Sequence, residues 1–205
     1  MLTLYSHPYS QHSRRVAALL DIADQPYENK QIALNEGEHM SPAYLEINPS
    51  HQVPTLLDGD IKIHESNAIL RYLCLKHDLK DWYPEDLATR ASVEQWLDWC
   101  QCRLGRAVTD IVINTVFMGD NGDQEAIKSG HERMKEMAPI LDAALEGRDF
   151  LCGDKPTIAD LAVASNITHL GWANATPTET NIVNWLERVC AIEGFRNTLT
   201  EQQAA

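Results

Sequence analysis

The sequence predicts two joined parts, a mixed α/β domain followed by an all-helical one, in a chain of 205 residues. Three observations carry that prediction. An Asp58-Gly59 pair stands between two short apolar runs in TLLDGDIKI, the pattern of a tight hairpin. Ahead of it, two strand-like stretches flank a segment whose apolar residues follow helical spacing. Beyond residue 85 no stretch reads convincingly as a strand, and four long stretches carry helical periodicity.

Taken in order, LTLY (2–5) is a short strand that stops at the turn-prone SHPYS. Val16, Ala17, Leu19, Leu20 and Ala23 then mark a helix. Residues 27–34, apolar at 27, 32 and 34, form a weaker strand. Residues 42–47 make a short helix, ended by Asn48-Pro49 because the residue before proline is pushed out of helical geometry. The hairpin follows, and then a helix over 65–75 with Ile69, Leu70, Tyr72 and Leu73 on its inner side. The order is βαβ, a short helix, then ββα. The later helices are expected over 87–117, 125–145, 158–170 and 179–192. Thr157-Ile158-Ala159-Asp160 is a capping box with Asp in place of Glu or Gln, and it opens an alanine-rich helix. LKDWYPED (79–86) joins the halves. The expected division is 1–78, a linker at 79–84, and a helical part over 85–205.

Composition narrows the function. Asp plus Glu is 30 against 17 Lys plus Arg, a formal charge of −13. The acidity is spread over both halves, −4 over residues 1–78 and −9 over 85–205. Such a surface repels phosphate backbones, so no nucleic-acid partner is expected. The longest apolar run is the five residues 16–20, far short of a bilayer span, so no membrane partner is expected either. MLTLYSHPYS has no basic or apolar leader region, and no secretory signal is expected. Five cysteines at irregular spacing suggest reduced thiols and a cytoplasmic location. Cys100 and Cys102 sit two apart on a helix and face different ways, so no metal site is expected there.

The first strand-to-helix turn is where a sheet of this kind offers a helix N-terminus to a ligand. Here it reads YSHPYSQHSRR, rich in hydroxyls and free of acids. Ser10 and Ser13 have the spacing of the CxxC motif of thioredoxin-like folds, but two serines exclude thiol–disulfide exchange by a protein cysteine at this place. Two readings stand for these serines: a plain helix cap, or a catalytic hydroxyl. Val53-Pro54 precedes a strand, a place compatible with a cis bond and with an exposed backbone that pairs with an extended peptide. Glu65-Ser66 opens a helix whose N–H groups can hold an anion.

On the segments LYSHPYSQHSRRV, GEHMSPAYLEINPSHQVP, DGDIKIHESNAILRYL and KPTIADLAVAS, the sequence resembles the cytosolic glutathione transferases, nearest to the serine-type theta and delta classes. The resemblance covers essentially the whole chain. It implies a thioredoxin-like domain followed by an all-helical one, glutathione as co-substrate, a small apolar electrophile, and a homodimer. It gives Ser10 the hydroxyl that hydrogen-bonds the glutathione sulfur. It gives Val53, beside Pro54, the backbone contact to the cysteinyl unit, and Glu65 and Ser66 the γ-glutamyl end. His39 and His51 fall near the glycine carboxylate, which a histidine can hold near neutral pH. Asn67 is counted with the γ-glutamyl contacts, as a weaker one, since it stands where delta members often carry arginine; Ser13 stands where many relatives carry cysteine. Tyr5 is read as a packing strand residue, and His7, His12, His64 and His77 as surface histidines. Tyr9, Ile111, Phe117 and Trp172 are candidates for the electrophile wall, with plain core as the competing reading.

The resemblance implies conjugation of glutathione to electrophiles. Two alternatives accompany it. One is a specialised glutathione-dependent isomerase, dehalogenase or peroxidase, although SQHS departs from the Ser-Ser-Cys run of the maleylacetoacetate-isomerase class. The other is a non-enzymatic binding or regulatory protein on the same fold. Such proteins typically lose the glutathione contacts that this sequence keeps.

Overall fold

The computed structural model describes residues 1–200; residues 201–205 of the expected helical part lie outside the described residues. β1 (Leu2–Ser6) is the centre of a four-stranded sheet of order β2-β1-β3-β4. β2 (Tyr27–Gln31) pairs parallel to β1, with Leu2 opposite Tyr27. β3 (Thr55–Asp58) runs antiparallel to β1, with Leu4 opposite Leu56, and turns at Asp58-Gly59 into β4 (Ile61–His64). Leu2, Leu4 and Leu56 are buried, which fixes the register of the central pair. β2 is an edge strand, largely exposed and carrying Glu28 and Lys30, charges that discourage further pairing.

α1 (Gln11–Ile22) crosses between β1 and β2 and buries Val16, Ala18, Leu19 and Leu20. The second strand is shorter than its apolar pattern suggests. Ile32 is buried and still donates to the Ser6 carbonyl at 2.8 Å, but the chain then winds into two 3₁₀ turns, Leu34–Glu36 and Glu38–Met40. Gly37 joins them at φ 74°, a left-handed conformation that glycine adopts without a Cβ clash. α2 (Pro42–Leu45) follows, and α3 (Ser66–Lys76) packs Ile69, Leu70 and Leu73 into the core.

The helical half begins with α4 (Leu87–Trp99). The single helix expected over 87–117 is continuous but uneven: a π-helical stretch, Cys100–Leu104, leads into α5 (Gly105–Val112), and a second, Ile113–Phe117, ends it. α6 (Gln124–Ala144), α7 (Ile158–Leu170) and α8 (Thr180–Ala191) follow. Every residue of α7 is buried, and Thr157 with Asp160 closes the expected capping box. α9 (Glu193–Arg196), which the periodicity does not announce, carries Gly194 against α1. A Cβ at Gly194 would fall 2.6 Å from Ile22 Cγ1 and 2.8 Å from the Ile22 nitrogen, so only glycine permits that approach. One core therefore runs from the sheet through α1 into α7 and α9, and it fixes the first turn of α1 against the helical half. No helix among the described residues is long and apolar enough to cross a membrane.

Candidate functional site

α1 begins beside the end of β1, and a cleft of ≈ 910 Å³ opens there towards α5. Ser10 is the N-cap of α1, at φ −93° and ψ 114°, and its Oγ accepts the Ser13 N–H at 3.1 Å. The capping reading therefore holds, but it uses only a lone pair. Among the described residues no acceptor takes the Ser10 O–H, and the side chain lines the cleft. No acid stands in the first turn, so the positive end of the helix is uncompensated. Ser13 is buried behind it and accepts the His7 N–H at 3.3 Å, a positioning contact.

The Val53-Pro54 bond is cis, and both residues line the polar end of the cleft. The loop before them is held from within. Tyr44 Oη and Asn48 Nδ2 both donate to the Gln52 carbonyl, at 2.7 and 2.8 Å, and each also reaches Thr55 Oγ1. Those two supports were not apparent in the sequence, where Asn48 reads only as a helix stop. Glu65 and Ser66 share the polar end with Val53. Glu65 sits at φ 70° and ψ 106°, a costly backbone conformation for a residue with a Cβ, and its side chain makes no cap bond with α3. Ser66 is buried at the first position of α3. His39 and His51, with ring centroids 6.5 Å apart, line the wider part beside Val53. His39 Nδ1 is buried and has no partner among the described residues.

Asn67, grouped by the resemblance with the γ-glutamyl contacts, is turned into the protein in this structure. It is buried, accepts from Arg15 Nη1 at 3.1 Å, and donates to the Leu97 carbonyl at 3.0 Å. It lines neither part of the cleft. The amide joins α1, α3 and α4 instead.

Four histidines read as surface residues divide. His12 lines both parts of the cleft, His7 the wider part and His64 the polar end, whereas His77 caps α3. Burial, with Arg15 and His169 adding to it, pulls His12 down to about 3. His169, which the sequence reading did not single out, is 2% exposed, lines the wider part, and is pulled down by burial and then by Arg14 to about 4. Burial also lowers His7. These imidazoles are neutral at pH 7 and can both donate and accept.

Three of the four wall candidates meet. Tyr9 packs edge-on against Trp172 at 5.1 Å, and Phe117 lies 6.2 Å from Tyr9 and 5.7 Å from Trp172. Ile111 is fully buried core, and its neighbour on the cleft is Ile113. Tyr5 stacks edge-on with Tyr44 at 5.9 Å and lines neither part of the cleft, as a packing residue should.

A polar, donor-rich pocket and a wider one with an aromatic end thus adjoin across His12, Gln52 and Val53, at the N-terminus of α1. The family described as Glutathione S-transferase, N-terminal domain, matches residues 1–74, and Glutathione S-transferase, C-terminal domain, matches residues 106–193. Glutathione S-transferase theta-1 of Homo sapiens is 33% identical over 201 residues, covering 94% of this chain and 84% of that protein. Glutathione S-transferase F10 of Arabidopsis thaliana is 34% identical over 79% of this chain and 77% of its own length. The crystal structure of poplar glutathione transferase F1 superposes with a TM-score of 0.89 at 29% identity, over 100% of this chain and 99% of that one. With the thioredoxin-like sheet, the helical half and the cleft between them, these matches place the chain in the glutathione S-transferase family.

Proposed function

We propose that the cleft binds glutathione and that the Ser10 O–H donates to its sulfur, holding it as a thiolate whose proton has passed to solvent; the thiolate attacks a small apolar electrophile, forming a C–S bond as the leaving group, halide for an aryl halide, departs. The observation that carries this reading is the Ser10 O–H at the N-terminus of α1, unbonded among the described residues, on a cleft that shares His12, Gln52 and Val53 with the adjoining pocket of Glu65 and Ser66. The Val53 backbone, which lines both pockets, would pair with the cysteinyl unit. Glu65 would take the ammonium of the γ-glutamyl end, and Ser66 with the first N–H groups of α3 its carboxylate. His39 and His51 would meet the glycine carboxylate. The fit is physical: glutathione is an anionic extended tripeptide, and the cleft offers donors, one helix N-terminus for each end, and an unpartnered imidazole nitrogen.

The magnitudes are adequate. A thiol with pKa about 8.5 is only a few per cent ionised at pH 7. Lowering it by about two units takes about 2.7 kcal/mol in favour of the anion. A hydrogen bond to a charged acceptor supplies about 1.5–3 kcal/mol. The helix end adds about 0.3–1 kcal/mol. The serine remains a donor and is not the nucleophile. Tyr9 and Phe117, which line the cleft, would hold the electrophile by its apolar face, with Trp172 packed against both rings.

Family membership supports a homodimer. Five free cysteines suit a reducing, cytoplasmic setting. The division into 1–78, 79–84 and 85–205 is supported by the gap between α3 and α4. Retention on immobilised glutathione, followed by turnover of a chromogenic aryl halide, tests the reading. Retention with turnover is expected. Failure to bind glutathione would overturn it, and binding without turnover would move the protein to a specialised glutathione-dependent reaction.

A further inference from the structure

The long helix over 87–117 borders the whole cleft, and its two π-helical stretches stand beside the two ends. Gln101, in the first, lies at the polar end with Glu65 and Ser66. Phe117, in the second, lies at the aromatic end with Tyr9. Thr109 and Ile113 line the cleft between them. Each stretch closes a bond five residues apart. The Gly105 N–H donates to the Cys100 carbonyl, and the Met118 N–H to the Ile113 carbonyl at 2.9 Å. Between them the Ile113 N–H returns to Thr109, four residues back, so α5 itself is ordinary.

Helical geometry makes that arrangement consequential. A four-residue step along an α-helix overshoots a full turn by about 40°, so the four steps from Gln101 to Phe117 would drift by about 160°. Gln101 and Phe117 would then sit on nearly opposite faces. A π turn holds more than four residues, and the same step falls short of a full turn by a roughly similar angle. Two π steps offset two α steps, and Gln101, Gly105, Thr109, Ile113 and Phe117 form one straight stripe. In an unbroken α-helix residues seven apart lie within about 20° of each other, so Thr109 would share its face with Cys102 and Val116. In this chain Cys102 lines a separate cavity with Trp99 and Arg103, and Val116 is exposed and lines neither part of the cleft.

We infer that the two π turns select which residue of each adjacent pair meets the ligands: Gln101 instead of Cys102 at the γ-glutamyl end, and Phe117 instead of Val116 at the electrophile. This rests on the glutathione reading of the cleft. The Gln101 amide, which can both donate and accept, suits the zwitterionic γ-glutamyl end. The Phe117 ring forms an aromatic wall with Tyr9, and Trp172 packs against both. Gln101 and Phe117 are therefore specificity-determining positions set by backbone hydrogen bonding.

Four single variants test it: Gln101→Ala, Cys102→Ala, Val116→Ala and Phe117→Ala. Glutathione affinity is read by calorimetry, and KM and kcat are read for an aryl halide. All four side chains are exposed, so folding is retained; Gln101→Met and Phe117→Leu serve where an alanine variant melts early. Gln101→Ala is expected to weaken glutathione binding about tenfold, the scale of one hydrogen bond to a charged group. Phe117→Ala is expected to raise the aryl halide KM about two- to twelvefold, with glutathione affinity kept. Cys102→Ala and Val116→Ala should match the parent in both. Equal effects within either pair, or the reverse order, would overturn the inference while the parent still binds glutathione. A parent that does not bind glutathione would sink the functional reading, and this inference with it.

Discussion

The Arg15 guanidinium donates through Nη1 to Asn67 Oδ1 at 3.1 Å, inside the protein, and Asn67 passes the contact on to the Leu97 carbonyl. Arg15 is fully buried, with Asn67 as its oxygen acceptor and the buried Cys100 sulfur as its other polar neighbour. Asn67→Leu would strip a buried cation of that acceptor, an expected loss of about 3 kcal/mol or more. Urea unfolding measures it. Glutathione affinity in the folded variant should stay near that of the parent; an unchanged midpoint with weakened binding would return Asn67 to the ligand.

Ser10 has two functions that substitutions separate. Ser10→Ala removes the O–H donor and should lower turnover at pH 7 roughly 10- to 150-fold. It also removes the N-cap, costing about 0.5–2 kcal/mol of stability. Ser10→Asn keeps the cap without a hydroxyl, so it should restore the melting temperature and leave activity low. Full activity in Ser10→Ala, with Tyr5→Phe inactive, would move the role to Tyr5.

Much of this was legible in the residues because local rules governed it. The Asp58-Gly59 hairpin, the Thr157 capping box and the serine-capped first turn each follow from short-range chemistry. The wider histidine set was not legible. His12 and His169 become cleft residues only when α1 packs on α7, a contact between positions far apart in sequence. The bonds of Asn67 were not legible for the same reason, since its partners Arg15 and Leu97 lie on two other helices. The π turns escaped because apolar spacing over 87–117 reports helix without distinguishing four-residue from five-residue bonds.

Glu65 combines a strained backbone with an unused side chain. Its φ of 70° with ψ of 106° is costly for a residue with a Cβ, and glycine, having none, lessens that cost. Glu65→Gly should therefore keep or raise stability, by up to about 1 kcal/mol, while weakening glutathione binding. Glu65→Ala should weaken binding more than it slows chemistry, without relieving the backbone. Equal glutathione affinity in both variants, measured by calorimetry, would remove Glu65 from the site.

Asp160 accepts from the Leu151 N–H at 2.9 Å, the Thr157 N–H at 2.8 Å, Thr157 Oγ1 at 3.1 Å and Trp185 Nε1 at 2.9 Å, with no exposure to solvent. Removing it leaves several buried donors unpaired at once, each costing about 1–3 kcal/mol. Asp160→Ala should therefore lose more than about 3 kcal/mol by chemical unfolding, or fail to accumulate as folded protein. A loss below about 1 kcal/mol would mean that the surroundings rearrange to satisfy those donors.

Two histidines, His169 buried and His12 half-buried at the cleft, give the protein an acid limit. In the unfolded chain both protonate near pH 6.5. In the folded protein His169 is held at about 4 and His12 at about 3, mainly by burial. Below pH 6.5 the unfolded state binds protons that the folded state refuses, so stability is complete above that pH and falls as the solution is acidified. Each fully buried histidine adds a slope approaching about 1.4 kcal/mol per pH unit down to its folded pKa. His12 keeps an edge on the cleft, so its share is the smaller. Urea midpoints between pH 7 and pH 4 should drop steadily, and His169→Gln, which does not titrate, should flatten the decline. A parallel decline in parent and variant would show that His169 already exchanges protons freely in the folded state.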